Sequence, residues 1–216
     1  MMMAEATNHY FKHLGVSDGL SQVCIPSIFQ DELGAVWLGT TEGLNRYNGK
    51  DVKVFQPSES NHGLTNNEIN ELCGDKNGRM YIRSGNDLIK LDIYTEQFTC
   101  LRQKGVYGLF CKKDTLWVSC ADGIYYYTGQ GTELTFFARV QKGFVGRALY
   151  VDRETVWVVT RKYLVAISRE DPLRQEILLT LDKGNCILGD SSGNIWVGAW
   201  NGLYLSLIHI SEPTRP

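Results

Sequence analysis

A tryptophan that returns in phase constrains this chain more than any other feature. Trp37, Trp117, Trp157 and Trp196 fall at the same point of a repeating unit, and Tyr81 fills the remaining position, so the spacings run 44, 36, 40 and 39 residues. The flanking text recurs with them, as Val36-Trp37-Leu38-Gly39, Met80-Tyr81-Ile82, Leu116-Trp117-Val118, Val156-Trp157-Val158 and Ile195-Trp196-Val197-Gly198. Self-similarity at such a period marks a repeat architecture, in which each unit buries its apolar face against its neighbours.

Each unit reads as four short strands. Three residues before Trp37, Tyr81 and Trp196 stands a glycine that closes Asp31-Glu32-Leu33-Gly34, Asp75-Lys76-Asn77-Gly78 and Asp190-Ser191-Ser192-Gly193. An aspartate opening a turn and a glycine at its left-handed position suit a hairpin loop. One carboxylate per turn is too few for a calcium site. In unit one the expected strands are Val23 to Phe29, Val36 to Gly39, Leu44 to Tyr47 and, after the hairpin pair Asn48-Gly49, Val52 to Phe55. Third strands follow at Leu88–Leu91, Ile124–Tyr127, Leu164–Ile167 and Leu203–Leu205, and fourth strands at Gln97–Leu101, Leu134–Phe137 and Glu176–Leu179. No apolar run recurs at helical spacing, so essentially no helix is expected.

The fold class is therefore all-β, a β-propeller of four-stranded blades with about four complete blades plus a partial fifth. The in-phase aromatics fill the wedge between adjacent sheets. Trp200 is out of phase, in the loop between second and third strands, and reads as a surface aromatic. Tyr10 to Leu14 reads as an orphan outer strand, which either closes a five-bladed ring or opens the front part of a larger one. The expected domain layout is a signal-peptide remnant at 1–6, ending in Ala4-Glu5-Ala6, and a partial propeller at 7–205. The tail at 206–216 abandons the repeat, resembles a translated sequencing adapter and is left out of the fold.

Composition excludes more than it proves. With 22 Lys+Arg against 24 Asp+Glu and no basic block, no nucleic-acid surface is expected. The six cysteines form no Cys-x-x-Cys, so a zinc site is not expected. Most fall within strands as small buried hydrophobes, and Cys111 and Cys120 flank one hairpin that would let them pair in an exported chain. Catalytic constellations are missing too. Glu68 and Glu71 are three residues apart and so on opposite strand faces. His9 and His13 fall on the orphan terminal segment, His62 in a loop and His209 in the tail, and neither a nucleophile elbow nor a phosphate loop occurs. The chain reads as a binding module with no cofactor and no catalytic or metal-ligating residue.

The stretch Phe11 to Tyr47 carries a more specific pattern: Phe-x-x-Leu-x-x-x-Asp-Gly-Leu-Ser, then an inner strand, then Gln30-Asp31-x-x-Gly34-x-x-Trp37-Leu38-Gly39-Thr40-x-x-Gly43-Leu44-x-Arg46-Tyr47. Unit two echoes it with Gly63-Leu64-Thr65-Asn66-Asn67 and unit five with Gly189-Asp190 through Gly198, whereas units three and four lack the Asp-x-x-Gly turn and match by the anchor alone. The pattern resembles the two-component regulator propeller family, the periplasmic sensor region of Bacteroidetes hybrid two-component histidine kinases. The resemblance implies a partial seven-bladed ring, followed in the parent chain by a second propeller, a β-sandwich, a membrane span and a kinase core absent here, with the parent as a homodimer. It further implies a periplasmic location, an oligosaccharide ligand and control of polysaccharide-utilisation genes. It carries no site residues, because the family's ligand loops vary.

The site must come from blade geometry. The loops joining second to third strands share one face with those joining each fourth strand to the next blade. An aromatic beside amide and charged groups suits a sugar, so the expected ligand-binding residues are Glu42, Arg161, Lys162, Trp200 and Asn201. Arg161 and Lys162 further suit an acidic or sulfated glycan. The same residues also fit ordinary solvated loops, and Glu42 and Asp122 precede turn glycines where they would cap local backbone. Two other functions stay open: a secreted glycan-active propeller enzyme, and a protein-interaction scaffold.

Overall fold

The computed structural model describes residues 12–57, 63–75 and 77–206. Five antiparallel sheets follow one another along the chain. Blade one is β1 (Ser27–Gln30), β2 (Val36–Thr40), β3 (Gly43–Tyr47) and β4 (Val52–Phe55). Blade two is β5 (Ile69–Gly74), β6 (Arg79–Ser84), β7 (Asp87–Asp92) and β8 (Gln97–Arg102). Blade three is β9 (Val106–Lys112), β10 (Thr115–Cys120), β11 (Gly123–Tyr127) and β12 (Thr135–Ala138). Blade four is β13 (Gly146–Val151), β14 (Thr155–Thr160), β15 (Tyr163–Ser168) and β16 (Gln175–Thr180). Blade five has three strands, β17 (Gly184–Gly189), β18 (Ile195–Ala199) and β19 (Gly202–Ser206). Every sheet runs in chain order, and the first strands of successive blades lie against one another. This is the expected propeller.

The core sits between blades. Trp37, Leu44 and Phe55 of blade one pack on Ile69, Leu72, Met80 and Ile82 of blade two. Tyr81 and Leu88 do the same against blade three, Trp117 and Ile124 against blade four, and Trp157 and Leu164 against blade five. Each of these four anchors thus fills the wedge toward the following blade. Trp37 and Tyr81 are fully buried, Trp117 and Trp157 nearly so, and Trp196 is half-buried. Gly39, beside the first anchor, is required by this packing, because a Cβ there would lie 2.8 Å from Ile69 Cγ2 of blade two.

The Asp-x-x-Gly turns are confirmed, and they do more than turn the chain. Asp31 Oδ1 accepts from the backbone N–H groups of Leu33 (3.0 Å) and Ala35 (2.8 Å), while Oδ2 accepts from the Trp37 indole N–H at 2.7 Å. Asp190 takes the N–H groups of Ser192 and Asn194 and the Trp196 indole, each at 2.9 Å. Gly34 and Gly193 close these turns at φ 86° and 85°, where a side chain would be strained. Unit four lacks the Asp-x-x-Gly turn, as expected, yet keeps the clip in a turn one residue shorter. Asp152 accepts from Glu154 N–H, from Thr155 N–H and, at 2.7 Å, from the Trp157 indole.

Three expectations need correcting, and a fourth lies outside the described residues in all but Ser206. The inner strand of unit one begins at Ser27 rather than Val23, after Pro26, whose nitrogen has no proton to give a ladder. Of the expected orphan strand, Tyr10 and Phe11 lie outside the described residues and 12–14 form no strand; a single 3₁₀ turn, Val16–Asp18, leads into blade one instead. The expected remnant at 1–6 also lies outside the described residues, as do 207–216 of the expected tail; Ser206 completes β19. Cys111 and Cys120 are not partners. Cys111 pairs in register with Leu116, and Cys120 with Val106, about 13 Å away along the strands at roughly 3.3 Å per residue.

Candidate functional site

One face of the blades is built by small hydroxyls. Three residues after the anchor come Thr40, Ser84 and Thr160, all buried. Thr160 Oγ1 accepts from the N–H groups of Lys162 (3.2 Å) and Tyr163 (2.8 Å) and donates to the Tyr163 carbonyl, which fixes the β14–β15 turn carrying Arg161 and Lys162. Thr40 holds the β2–β3 turn of blade one in the same way through Glu42 N–H and the Gly43 carbonyl.

These turns are stitched to the connections between blades, so the expected shared face exists. Gly43 N–H donates to Asn67 O, Ala121 N–H to Gly105 O, and Val106 N–H to Asn86 O. Between blades four and five, Leu181 N–H donates to Lys162 O at 2.7 Å, Gly184 N–H to Arg161 O at 3.0 Å, and Trp200 N–H to Asp182 O at 2.9 Å. The last three bonds tie together the two turns and the β16–β17 connection that surround one opening.

That opening is a trough in two parts. A cavity of about 480 Å³ is lined by Arg147, Arg161, Lys183, Asn185 and Trp200, among others. A second of about 370 Å³ shares Arg147 and Arg161 and adds Lys162, Tyr107 and Phe144. Trp200 is 79 % exposed, and Lys183 Nζ lies 4.9 Å from its ring centroid, a cation–π contact. Lys183 is held at φ 51°, uncommon for a residue with a side chain. Phe144 leans on Tyr163 with ring centroids 4.9 Å apart. Four cations converge here, no carboxylate lines either cavity, and the ion pairs among the described residues lie elsewhere.

Of the five expected residues, the structure brings Arg161, Lys162 and Trp200 to this trough. Asn201 is exposed on the turn beside Trp200 but lines neither cavity. Glu42 stands apart on blade one, where its carbonyl accepts from Gln56 Nε2 at 2.8 Å. Asp122 is occupied locally, accepting from Arg102 (2.7 Å) and the Tyr125 hydroxyl (2.8 Å). Arg147, Lys183, Tyr107 and Phe144 were not expected. Lys183 lies in a fourth-to-first connection, the loop class that shares this face, and that signal was available; Arg147 and Tyr107 sit on inner strands, whose reach into the trough depends on how blades meet.

The inner-strand acids do not converge. Glu71 Oε2 accepts from Leu109 N–H at 3.1 Å and from Arg83 at 3.3 Å, and burial raises its carboxyl despite both partners. Glu68 accepts from Asn70. Glu71 lies in the blade two–three seam, Glu68 is exposed in the connection leading into blade two, and neither lines the trough. No helix among the described residues is long and apolar enough to cross a membrane.

No protein-family model matches the chain. Over 55 residues it is 38 % identical to Histidine kinase P4 of Formosa agariphila, a match covering 26 % of this chain and 4 % of that protein. Among solved structures it is similar to the extracellular domain of the B. thetaiotaomicron protein assigned as hybrid two-component system BT3049, at TM-score 0.79 and 23 % identity over 90 % of this chain and 30 % of that one. The extracellular domain of BT4673, from the same organism and assigned as a one-component system, gives TM-score 0.75 and 20 % identity over 92 % and 32 %. The Xanthomonas campestris gluconolactonase XC5397 is also similar, at TM-score 0.62 and 13 % identity over 82 % and 70 %. The chain therefore spans about a third of the extracellular domains it matches, and the likeness is one of fold.

Proposed function

We propose that this chain is the ligand-sensing part of an extracytoplasmic propeller in a hybrid two-component sensor, and that it binds an acidic oligosaccharide in the trough between blades three, four and five. The trough itself carries the reading: four cations with no ion pair among the described residues stand beside an exposed indole, with no carboxylate in the cavity linings. Trp200 offers a face for the C–H surface of a sugar ring, and Arg147 and Arg161 offer forked donors to sulfate or uronate oxygens. The extracellular sensor domains among its structural neighbours support the sensor role, and the short match to a histidine kinase points the same way. In this reading the parent protein carries a seven-bladed ring, a second propeller, a β-sandwich, a membrane span and a kinase core. It acts as a homodimer and governs genes for using the polysaccharide it senses. The chain itself performs no catalysis.

Calorimetric titration of the chain with a sulfated or uronate oligosaccharide, with a neutral one as control, tests the ligand. Preferential binding of the acidic glycan, weakened about tenfold or more by Arg161→Ala or Lys183→Ala and by added salt, is expected; tenfold corresponds to about 1.4 kcal/mol. Equal binding of the neutral glycan, or indifference to both substitutions, overturns the site. Turnover of the glycan would replace the sensor by an enzyme.

A further inference from the structure

The inner strands of blades two and three bring two thiols together. Cys111 Sγ lies 3.1 Å from Cys73 Sγ, although the residues are 38 positions apart in sequence. Both are half-buried and pack in the seam that holds Tyr81, Leu109 and Leu116. Register builds the contact. Glu71 on β5 bonds the Leu109 N–H of β9, and two residues farther along each strand, where side chains return to the same side, stand Cys73 and Cys111.

We propose that Cys73 and Cys111 form a disulfide that fastens blade two to blade three when the chain meets an oxidant. The sulfurs need to close by about 1 Å to reach disulfide length. Burial pushes the Cys73 thiol well up, and the thiolate is the attacking form, so the first step requires one sulfur of the pair to lose its proton. The oxidant is itself a disulfide. The first thiolate of the pair attacks it, releasing one thiolate and leaving a mixed disulfide. The second sulfur of the pair, losing its proton to that thiolate, then displaces the other. Two protein thiols are oxidised by two electrons, one disulfide is reduced to two thiols, and no other reactant is needed. The supply of such an oxidant in the cell rests on the extracytoplasmic reading; the pairing rests on geometry alone.

The test is peptide mapping of the folded chain incubated with glutathione disulfide, alkylated and cut with trypsin without reduction. Arg83, Arg102 and Lys112 separate the Cys73, Cys100, Cys111 and Cys120 peptides. The expected product joins the Cys73 and Cys111 peptides, lighter than the free pair by two hydrogen atoms. Alkylation of both thiols, or a link from Cys111 to Cys100 or Cys120, overturns the proposal. A reductant is expected to lower the urea midpoint of the oxidised chain and to leave Cys73→Ser unmoved; an equal shift in Cys73→Ser counts against it. Linkage in glutathione disulfide with free thiols in the source cells would sink the extracytoplasmic reading and leave the pairing intact.

Discussion

Blade one and blade two hold the same slot of the repeat and satisfy it differently. In blade one the slot holds Trp37, whose indole N–H reaches the same Asp31 carboxylate that ties the preceding turn. In blade two the slot holds Tyr81, and the corresponding carboxylate, Asp75, pairs with the Arg79 guanidinium instead. The Tyr81 hydroxyl is left buried without a hydrogen-bond partner among the described residues. The repeat therefore conserves shape at the wedge, while the polar connection to the turn is optional. Tryptophan supplies both at once, because its donor projects far enough to meet the aspartate six residues back.

Emptying the wedge in blade one should produce the largest effect. Trp37 is fully buried, stacked on Phe55 at 5.7 Å and covered by Arg46. Trp37→Ala is expected to cost about 3–5 kcal/mol in urea unfolding, as large-to-small core changes do. Trp200→Ala, a tryptophan of the same size but exposed, should stay within about 0.5 kcal/mol. Similar losses at both positions would mean that the anchors do not carry the blade interfaces.

Cutting the clip without emptying the wedge comes next. Asp31→Ala removes the acceptor for two backbone N–H groups and one indole, all at a buried carboxylate. Hydrogen bonds to charged groups contribute roughly 1.5–3 kcal/mol, and the stranded donors set the loss in that range. A change under about 0.5 kcal/mol would show that turn and anchor are independent. Blade five offers a pH version of the same test. The Trp196 indole and the Asn194 side chain pull the Asp190 carboxyl down to about 2. Because the folded value is depressed, the clip's contribution is complete above the unfolded value of about 3.9 and fades as pH falls toward 2. Asp190→Asn should flatten stability against pH in that window. If the variant's profile parallels that of the unsubstituted chain, the clip in blade five contributes nothing.

These tests concern what the period made visible. Trp37 and its equivalents repeat because one shape recurs at every blade seam, and a recurring shape leaves a recurring letter. Asp152 escaped notice because its turn is one residue shorter, so the carboxylate reaches the same indole from a different offset. Arg161, Lys162 and Trp200 were legible from loop order alone, since the strand sequence puts those turns on one face. Arg147 and Tyr107 were not singled out, because inner-strand residues join the trough only through the approach of neighbouring blades, whereas Lys183 stands in a loop class already placed on this face and was passed over. Glu42 shares the loop class of Arg161 but belongs to blade one, and loop class does not say which blades adjoin a ligand. The Cys73–Cys111 contact was hidden for the same reason, a register between two separate sheets.

The smallest effect is the one that best discriminates between the two blades. Tyr81→Phe deletes a buried hydroxyl with no partner among the described residues and keeps the ring that packs edge-on to Tyr127 at 6.0 Å. Burial already drives that hydroxyl's pKa upward, so it stays neutral and offers no charge to lose. An unmade hydrogen bond at a buried group is a cost of about 1–3 kcal/mol, which its removal relieves in part. The variant is therefore expected to unfold at equal or higher urea concentration, by up to about 1 kcal/mol. A loss of 1 kcal/mol or more would mean that the hydroxyl has a partner after all, with the Arg79 guanidinium and the Asp75 carboxylate, whose charges it feels, as candidates. In that case blade two would hold a clip of its own, and the contrast with blade one would reduce to which donor reaches the aspartate.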